Sequence, residues 1–311
     1  MREHTHFGDA TRQTLSRLTL SLGLTLVFVV FEAAAGYTAN SLALLTDAAH
    51  NATDVIALGL SWYAVRLATR PSNARRTYGY HRAGILVALV NAATLLVISL
   101  GIFYEAWQRF LAPPEVQSGI LIGVGLVAFA VNLGTALLVK KGSAHDLNLR
   151  SAFVHLMGDV LSTVGAGIAG VVIYFTGANW LDALVSVLIG ILILWNAWGI
   201  LRETLDILLE ATPRDVDMNA MIADMAQIKG VLGVHDLHVW SISSSLRTMS
   251  AHILTEDIAI SSGAAIQTAI NELVARRYNI VHATLQLECS GCAPDLYCDM
   301  NEAGHVRDEE Q

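Results

Sequence analysis

Six apolar runs, each near the length that crosses a bilayer, fill roughly the first two thirds of this 311-residue chain. They fall at about 18–36, 41–65, 83–107, 117–139, 151–175 and 180–201. A membrane-spanning helix needs about twenty apolar residues, because every backbone polar group must be satisfied within the lipid. Only 15% of the residues are charged and 54% are hydrophobic, whereas a soluble domain carries about a quarter charged. Met1 to Arg17 is polar and the first run is long enough to stay in the membrane, so a cleavable signal peptide is not expected. The expected division is a cytoplasmic N-terminal segment (1–17), a six-helix transmembrane domain (18–205) and a cytoplasmic domain (206–311).

Charge orients these runs. Residues 1–205 hold thirteen Lys and Arg, and all but Arg109 fall on one side of the predicted spans, notably Arg66, Arg70, Arg75, Arg76 and Arg82 in one loop. Positive charge stays inside, so both termini are expected in the cytoplasm, with short external loops near Ala39, Pro113 and Gly177. Residues 206–311 carry a net −10 against +2 for residues 1–205, together the −8 of the whole chain. Nucleic-acid binders are basic, so that partner is not expected. An acidic cytoplasmic domain suits concentrating cations and equally suits simple solubility.

Two apolar runs carry the same polar device. His50 and Asp54 lie within LALLTDAAHNATDVIALGL, and His155 and Asp159 within SAFVHLMGDVLSTVG. Residues four apart share a helix face, about 6 Å along the axis. A carboxylate near the bilayer centre costs roughly 2.5–3.5 kcal/mol on insertion scales, so a helix that only had to pack would avoid it. If the second run enters near Ser41, His50 and Asp54 sit roughly 14 and 20 Å in. The fifth run travels the opposite way and puts His155 and Asp159 at a matching depth. Two imidazoles and two carboxylates are a tetrahedral Zn²⁺ ligand set, so these four residues are the candidate transport site. Asp47, one turn before His50, is a candidate second-sphere or proton-relay group, or an outer-vestibule residue. Glu32 reads as an interfacial or packing polar residue, and Gly165, Gly167 and Gly170 as small residues for close helix packing.

The cytoplasmic part reads as αββαβ. A helix is predicted over Asp215–Lys229, strands over 235–243 and 247–256, a helix over Gly263–Arg277 and a strand over 282–288. That order makes a small sheet covered on one face by helices. Alternation along the first strand puts His238 on the face opposite His235, beside Trp240. The cysteines (289, 292 and 298) all lie in this tail, where cytoplasmic disulfides are rare. Cys289-x-x-Cys292 is a candidate metal or redox pair, and unmodified free thiols remain the alternative.

SLALLTDAAHNATDVIAL, YGYHRAGILVALVNA, VHLMGDVLSTVG and GVHDLHVWSIS together resemble the cation diffusion facilitators, most closely the zinc-transporting branch of bacterial zinc, cadmium and cobalt efflux. The resemblance covers about residues 15–290. It implies six transmembrane helices, a ferredoxin-like or metallochaperone-like cytoplasmic domain, a homodimer, and export of divalent metal in exchange for protons across the cell (inner) membrane. It carries the transport site onto His50, Asp54, His155 and Asp159. It also implies a cytoplasmic metal site at His235, His252 and Glu288, joined by Cys289 and Cys292, with His4 and His6 as N-terminal contributors. His282 and His305 are weaker candidates. The chain departs from the pattern at Gly84, where many members have an acid. Residues 66–82 contain no acid and His81 alone among histidines, so the loop metal site of some bacterial members is not expected here.

The function expected is efflux of Zn²⁺, with Cd²⁺ or Co²⁺ possible, as a proton-coupled secondary transporter rather than an enzyme. Zn²⁺ is expected as the substrate and, as the resemblance implies, as a regulatory ligand. Two imidazoles favour these ions over hard Mg²⁺ or Mn²⁺. No P-loop is present, so no nucleotide is expected. The absence of HExxH, and a ligand set without an open position, argue against a zinc enzyme. A passive divalent-metal channel is the alternative, distinguished by its indifference to a proton gradient.

Overall fold

A computed structural model describes residues 25–140 and 147–289, except for the side chains of residues 138, 139, 147–152 and 154 and of His155. The chain divides into two units. One includes residues through Tyr63 and Val87–Leu201; the other takes Ala64–Leu86 and runs on from Arg202.

The helices follow the apolar runs: α1 (Thr25–Ala39), α2 (Leu42–Ala68), α3 (Ala83–Leu111), α4 (Ser118–Lys140), α5 (Leu147–Thr176) and α6 (Trp180–Leu208). Four of these helices, α3 to α6, contain stretches long and apolar enough to cross a membrane. α2 carries too much polar material to read as plain lipid-facing helix. The first unit has its polarity reversed from that of a soluble protein. Val27, Val97, Phe175 and Trp195 are 69–80% exposed, while Glu32, Asp47, His50, Asp159, Ser162 and Asp182 are at most 8% exposed. An apolar exterior of this size marks a surface that does not face water.

Small residues set the helix spacing. A Cβ on Gly125 would lie 3.5 Å from the Cα of Gly167, and one on Gly170 would lie 3.0 Å from side-chain carbons of Leu121 and Ile122. α4 and α5 are therefore in near-backbone contact, the close approach that drives association in lipid. Gly190 of α6 sits against the ring of Phe103 of α3. Asp182, at the start of α6, accepts hydrogen bonds from Ser41 Oγ and from the backbone N–H groups of Leu42 and Ala43. Its carboxyl so caps the first turn of α2.

In the second unit, α7 (Met218–Ala226), β1 (Gly233–Ser241), β2 (Arg247–Leu254), α8 (Ile260–Tyr278) and β3 (Ile280–Glu288) follow in order. β2 lies between β1, antiparallel, and β3, parallel through the α8 crossover. Leu237, Val239, Met249, Ala251 and Ile253 turn one sheet face onto Met221, Met225, Ile266, Ile270 and Val274 of the helices. α7 is shorter than the sequence pattern predicts. Asp217 caps it by accepting from Asn219 N and Ala220 N, and Asp215 instead pairs with Arg247 at 2.8 Å. That hydrogen bond holds the Asp215 carboxyl below its ordinary value.

Candidate metal sites

The helical period of α2 puts His50 and Asp54 one turn apart on one face. His50 Nε2 lies 3.6 Å from Asp54 Oδ2 and 3.5 Å from Asp159 Oδ1, which comes from α5. One imidazole thus stands between two carboxylates on two helices. His50 and Asp159 are buried, and Asp54 is half-buried. His155 lies on α5 one turn before Asp159, but its side chain is outside the described residues.

Behind these three groups lies a polar layer that the sequence pattern only partly foreshadows. Ser162 Oγ donates to Asp47 Oδ1 at 2.8 Å, tying α5 to α2. Asn51 Nδ2 lies 3.4 Å from Asp47 Oδ2 and 3.3 Å from Glu32 Oε2. Glu32 has no exposed surface, which fits the packing reading rather than the interfacial one; it is enclosed beside Asp47. Asp47 is 3% exposed. The cost of a carboxylate inside an apolar run is the signal that could have marked Glu32 as interior.

The sheet builds a second cluster by different means. His235 and His252 are direct cross-strand partners, and their rings meet edge to face at 5.3 Å. Glu288, at the end of β3, reaches both: Oε2 lies 3.1 Å from His235 Nε2, and Oε1 lies 3.0 Å from His252 Nδ1. These three ligand atoms lie within 4.8 Å of one another. Two imidazoles and a carboxylate at that spacing match the donor preference of Zn²⁺ and leave room for a further ligand. His235 and Glu288 are 12% and 10% exposed, and the more open His252 is 28% exposed.

A β-bulge shapes this cluster and corrects one expectation. Register shifts between His235 and His238, and Asp236 within the bulge has φ 48°. The extra residue cancels the alternation, so His235, His238 and Trp240 all oppose the same face of β2, through His252, Ser250 and Thr248. His238 is therefore on the same face as His235, not the opposite one. The bulge also aims Asp236 inward, a residue the sequence reading missed. Its Oδ2 lies 3.4 Å from His252 Nε2 and its Oδ1 lies 3.0 Å from His238 Nε2. An HxxH spacing on a strand whose alternation should separate the two histidines was the available signal.

The remaining candidates do not join the cluster within the described residues. Cys289 is exposed, and His282 packs edge-on against Tyr78 at 6.2 Å. Cys292, Cys298, His305, His4 and His6 lie outside the described residues.

The cation efflux transmembrane domain matches residues 18–209, and the cation efflux protein cytoplasmic domain matches residues 213–290. The metal cation efflux system protein CzcD of Cupriavidus metallidurans is 33% identical over 93% of this chain and 90% of its own length. A cadmium, cobalt and zinc/H(+)-K(+) antiporter of Bacillus subtilis is 35% identical over 92% of this chain and 91% of its own. Zinc transporter ZitB of Escherichia coli is 35% identical over 93% and 92%. The matches over residues 18–209 and 213–290, with relatives at 33–35% identity along nearly the whole chain, make this chain a member of the cation efflux family, the cation diffusion facilitators, and a membrane transporter of metal cations.

Proposed function

We propose that the protein exports Zn²⁺, and also Cd²⁺ or Co²⁺, from the cytoplasm in exchange for protons, through His50, Asp54, His155 and Asp159. The observation carrying this reading is the position of His50 Nε2, within 3.5–3.6 Å of carboxylates from α2 and α5 in a buried, polar interior. Metal ligands must be deprotonated to bind, so metal entering from the cytoplasm displaces protons from these groups. Six spanning helices rearrange so that the site faces outward. Protons taken up by the imidazoles, whose ordinary pKa is near 6.5, then release the metal. The names of the Bacillus subtilis and Escherichia coli relatives, an antiporter and a zinc transporter, support the exchange and the ion.

The protein is read as a homodimer in the cell (inner) membrane with both termini in the cytoplasm. The Arg-rich loop between α2 and α3 supports that orientation, and the match over residues 213–290 supports the pairing of cytoplasmic domains. His235, His252 and Glu288 are read as a regulatory metal site, with Asp236 orienting His252. A metal there would neutralise part of the charge of an acidic domain, and coupling to transport follows if it binds one transport state better than the other.

Zinc flux into sealed proteoliposomes, with and without an imposed pH gradient, tests the reading. Proton-dependent flux that disappears in Asp159→Ala is expected. Flux indifferent to the gradient would make the protein a channel, and undiminished flux in Asp159→Ala would place the site elsewhere.

A further inference from the structure

The segment joining α2 to α3 is basic and internally organised. Asn73 Oδ1 accepts from Arg75 N at 3.0 Å and from Arg76 N at 3.1 Å, and Asn73 and Arg76 bond to each other's backbone. The Arg76 guanidinium lies 4.5 Å from the centre of the Tyr80 ring. So folded, the segment closes a cavity of about 330 Å³ against Trp240 of β1, with Arg75, Arg76, His81 and Arg82 in its walls. Arg82 is paired with Glu210 at 2.8 Å, and Glu210 is the sole acid lining the cavity. No carboxylate among the described residues pairs with Arg75 or Arg76.

Orientation in the membrane requires positive charge in this loop but does not require it to converge on a cavity. Here two unpaired guanidiniums, a third that is paired and an imidazole share one cavity. Arg82 immediately precedes α3, so the positive end of a 29-residue helix lies beside it. The cavity has planar forked donors for a phosphate oxygen set and aromatic walls at Trp240 and Tyr78. α3 is one of the apolar, membrane-length helices, and a bilayer entered by α3 just past Arg82 would have its headgroups beside this cavity. Basic pockets at that level take anionic headgroups.

We propose that this cavity is a phosphate-binding site whose ligand is the phosphodiester of an anionic lipid headgroup. The chemistry recognised is a singly or doubly charged phosphate; the position at the end of α3 is what selects a lipid over a soluble ion. The proposal stands apart from metal transport and rests only on α3 entering the bilayer.

Native mass spectrometry of the full chain in detergent, titrated with phosphatidylglycerol or with phosphatidylcholine of the same chains, tests it. Phosphatidylglycerol should bind the wild type about tenfold more tightly than phosphatidylcholine, and Arg75→Gln/Arg76→Gln should lose that preference. Arg70→Gln, an exposed arginine outside the cavity wall, should retain it. Both substituted arginines are exposed, and unchanged zinc binding by the double variant would verify that it is folded. Inorganic phosphate should not displace the lipid; displacement at millimolar phosphate would overturn the lipid assignment in favour of a soluble phosphate. Phosphatidylglycerol binding that is equal in wild type and Arg75→Gln/Arg76→Gln, or lost equally in Arg70→Gln, would overturn the site itself.

Discussion

The helix cluster and the sheet cluster use nearly the same kinds of side chain but assemble them at different structural levels. In the membrane unit, the pairing of His50 with Asp54 is made by the helix itself, and only Asp159 has to arrive from another element. In the sheet unit, three strands each contribute one ligand, and a bulge supplies the carboxylate behind them. Surroundings differ as well. The first cluster backs onto further buried carboxyls, Asp47 and Glu32, whereas the second opens on the sheet face away from the helices. A buried set backed by further carboxyls is what the proposed exchange of metal for protons would use. A rimmed set on a sheet face suits a site that senses metal from solution.

That contrast breaks most sharply in transport. His50→Ala should lower zinc flux in proteoliposomes about 100-fold or more, since removing a ligand exceeds the roughly 10–100-fold effect of removing a ligand's partner. His252→Ala should leave transport at low zinc standing and remove only its stimulation by added zinc; equal damage from both variants would erase the distinction between the two sites. Next in size, Asp236→Ala should weaken metal binding at the sheet cluster by roughly 10–100-fold, read by competition against a chromophoric chelator. An unchanged affinity would mean that the bulge carboxylate does not orient His252.

Smaller effects sharpen the difference in support. Ser162→Ala removes the hydroxyl that donates to buried Asp47 and should destabilise the membrane unit by about 1–3 kcal/mol, measured by thermal unfolding in detergent. The last expectation concerns the sheet unit alone. Burial, aided by its hydrogen bond to Asp224, pushes the Tyr278 hydroxyl up to about 12 from 10.0. The folded state therefore holds that proton more tightly. The associated stability is complete below pH 10 and is lost as pH rises from there towards about 12. Tyr278→Phe should flatten this alkaline slope in a pH series of unfolding curves, and an unaltered slope would assign it to another group.

How far the sequence could be read follows the same division. The apolar runs, the αββαβ order and the pairing of His50 with Asp54 were legible because helix and strand periods are local. The start of α7 was misplaced because Asp217 supplies the cap, and Asp215 is taken up by Arg247 from β2. His238 was assigned to the wrong face because alternation holds only while pairing is regular, and one inserted residue reverses it. Glu32 was read from its place in the run, whereas its enclosure depends on Asn51 and Asp47 of the next helix.

The sequence by itself determined that this chain enters a membrane and that His50 and Asp54 share a helix face. Those follow from the cost of burying polar groups in lipid and from the 3.6-residue turn, which act over a few neighbouring residues. Only the tertiary structure brought Asp159 to His50, Asp236 to His252, and Arg75 and Arg76 to the wall that Trp240 completes. Each of these pairs residues far apart in the chain or separated by a break in periodicity, so its geometry depends on packing and register that no local pattern encodes.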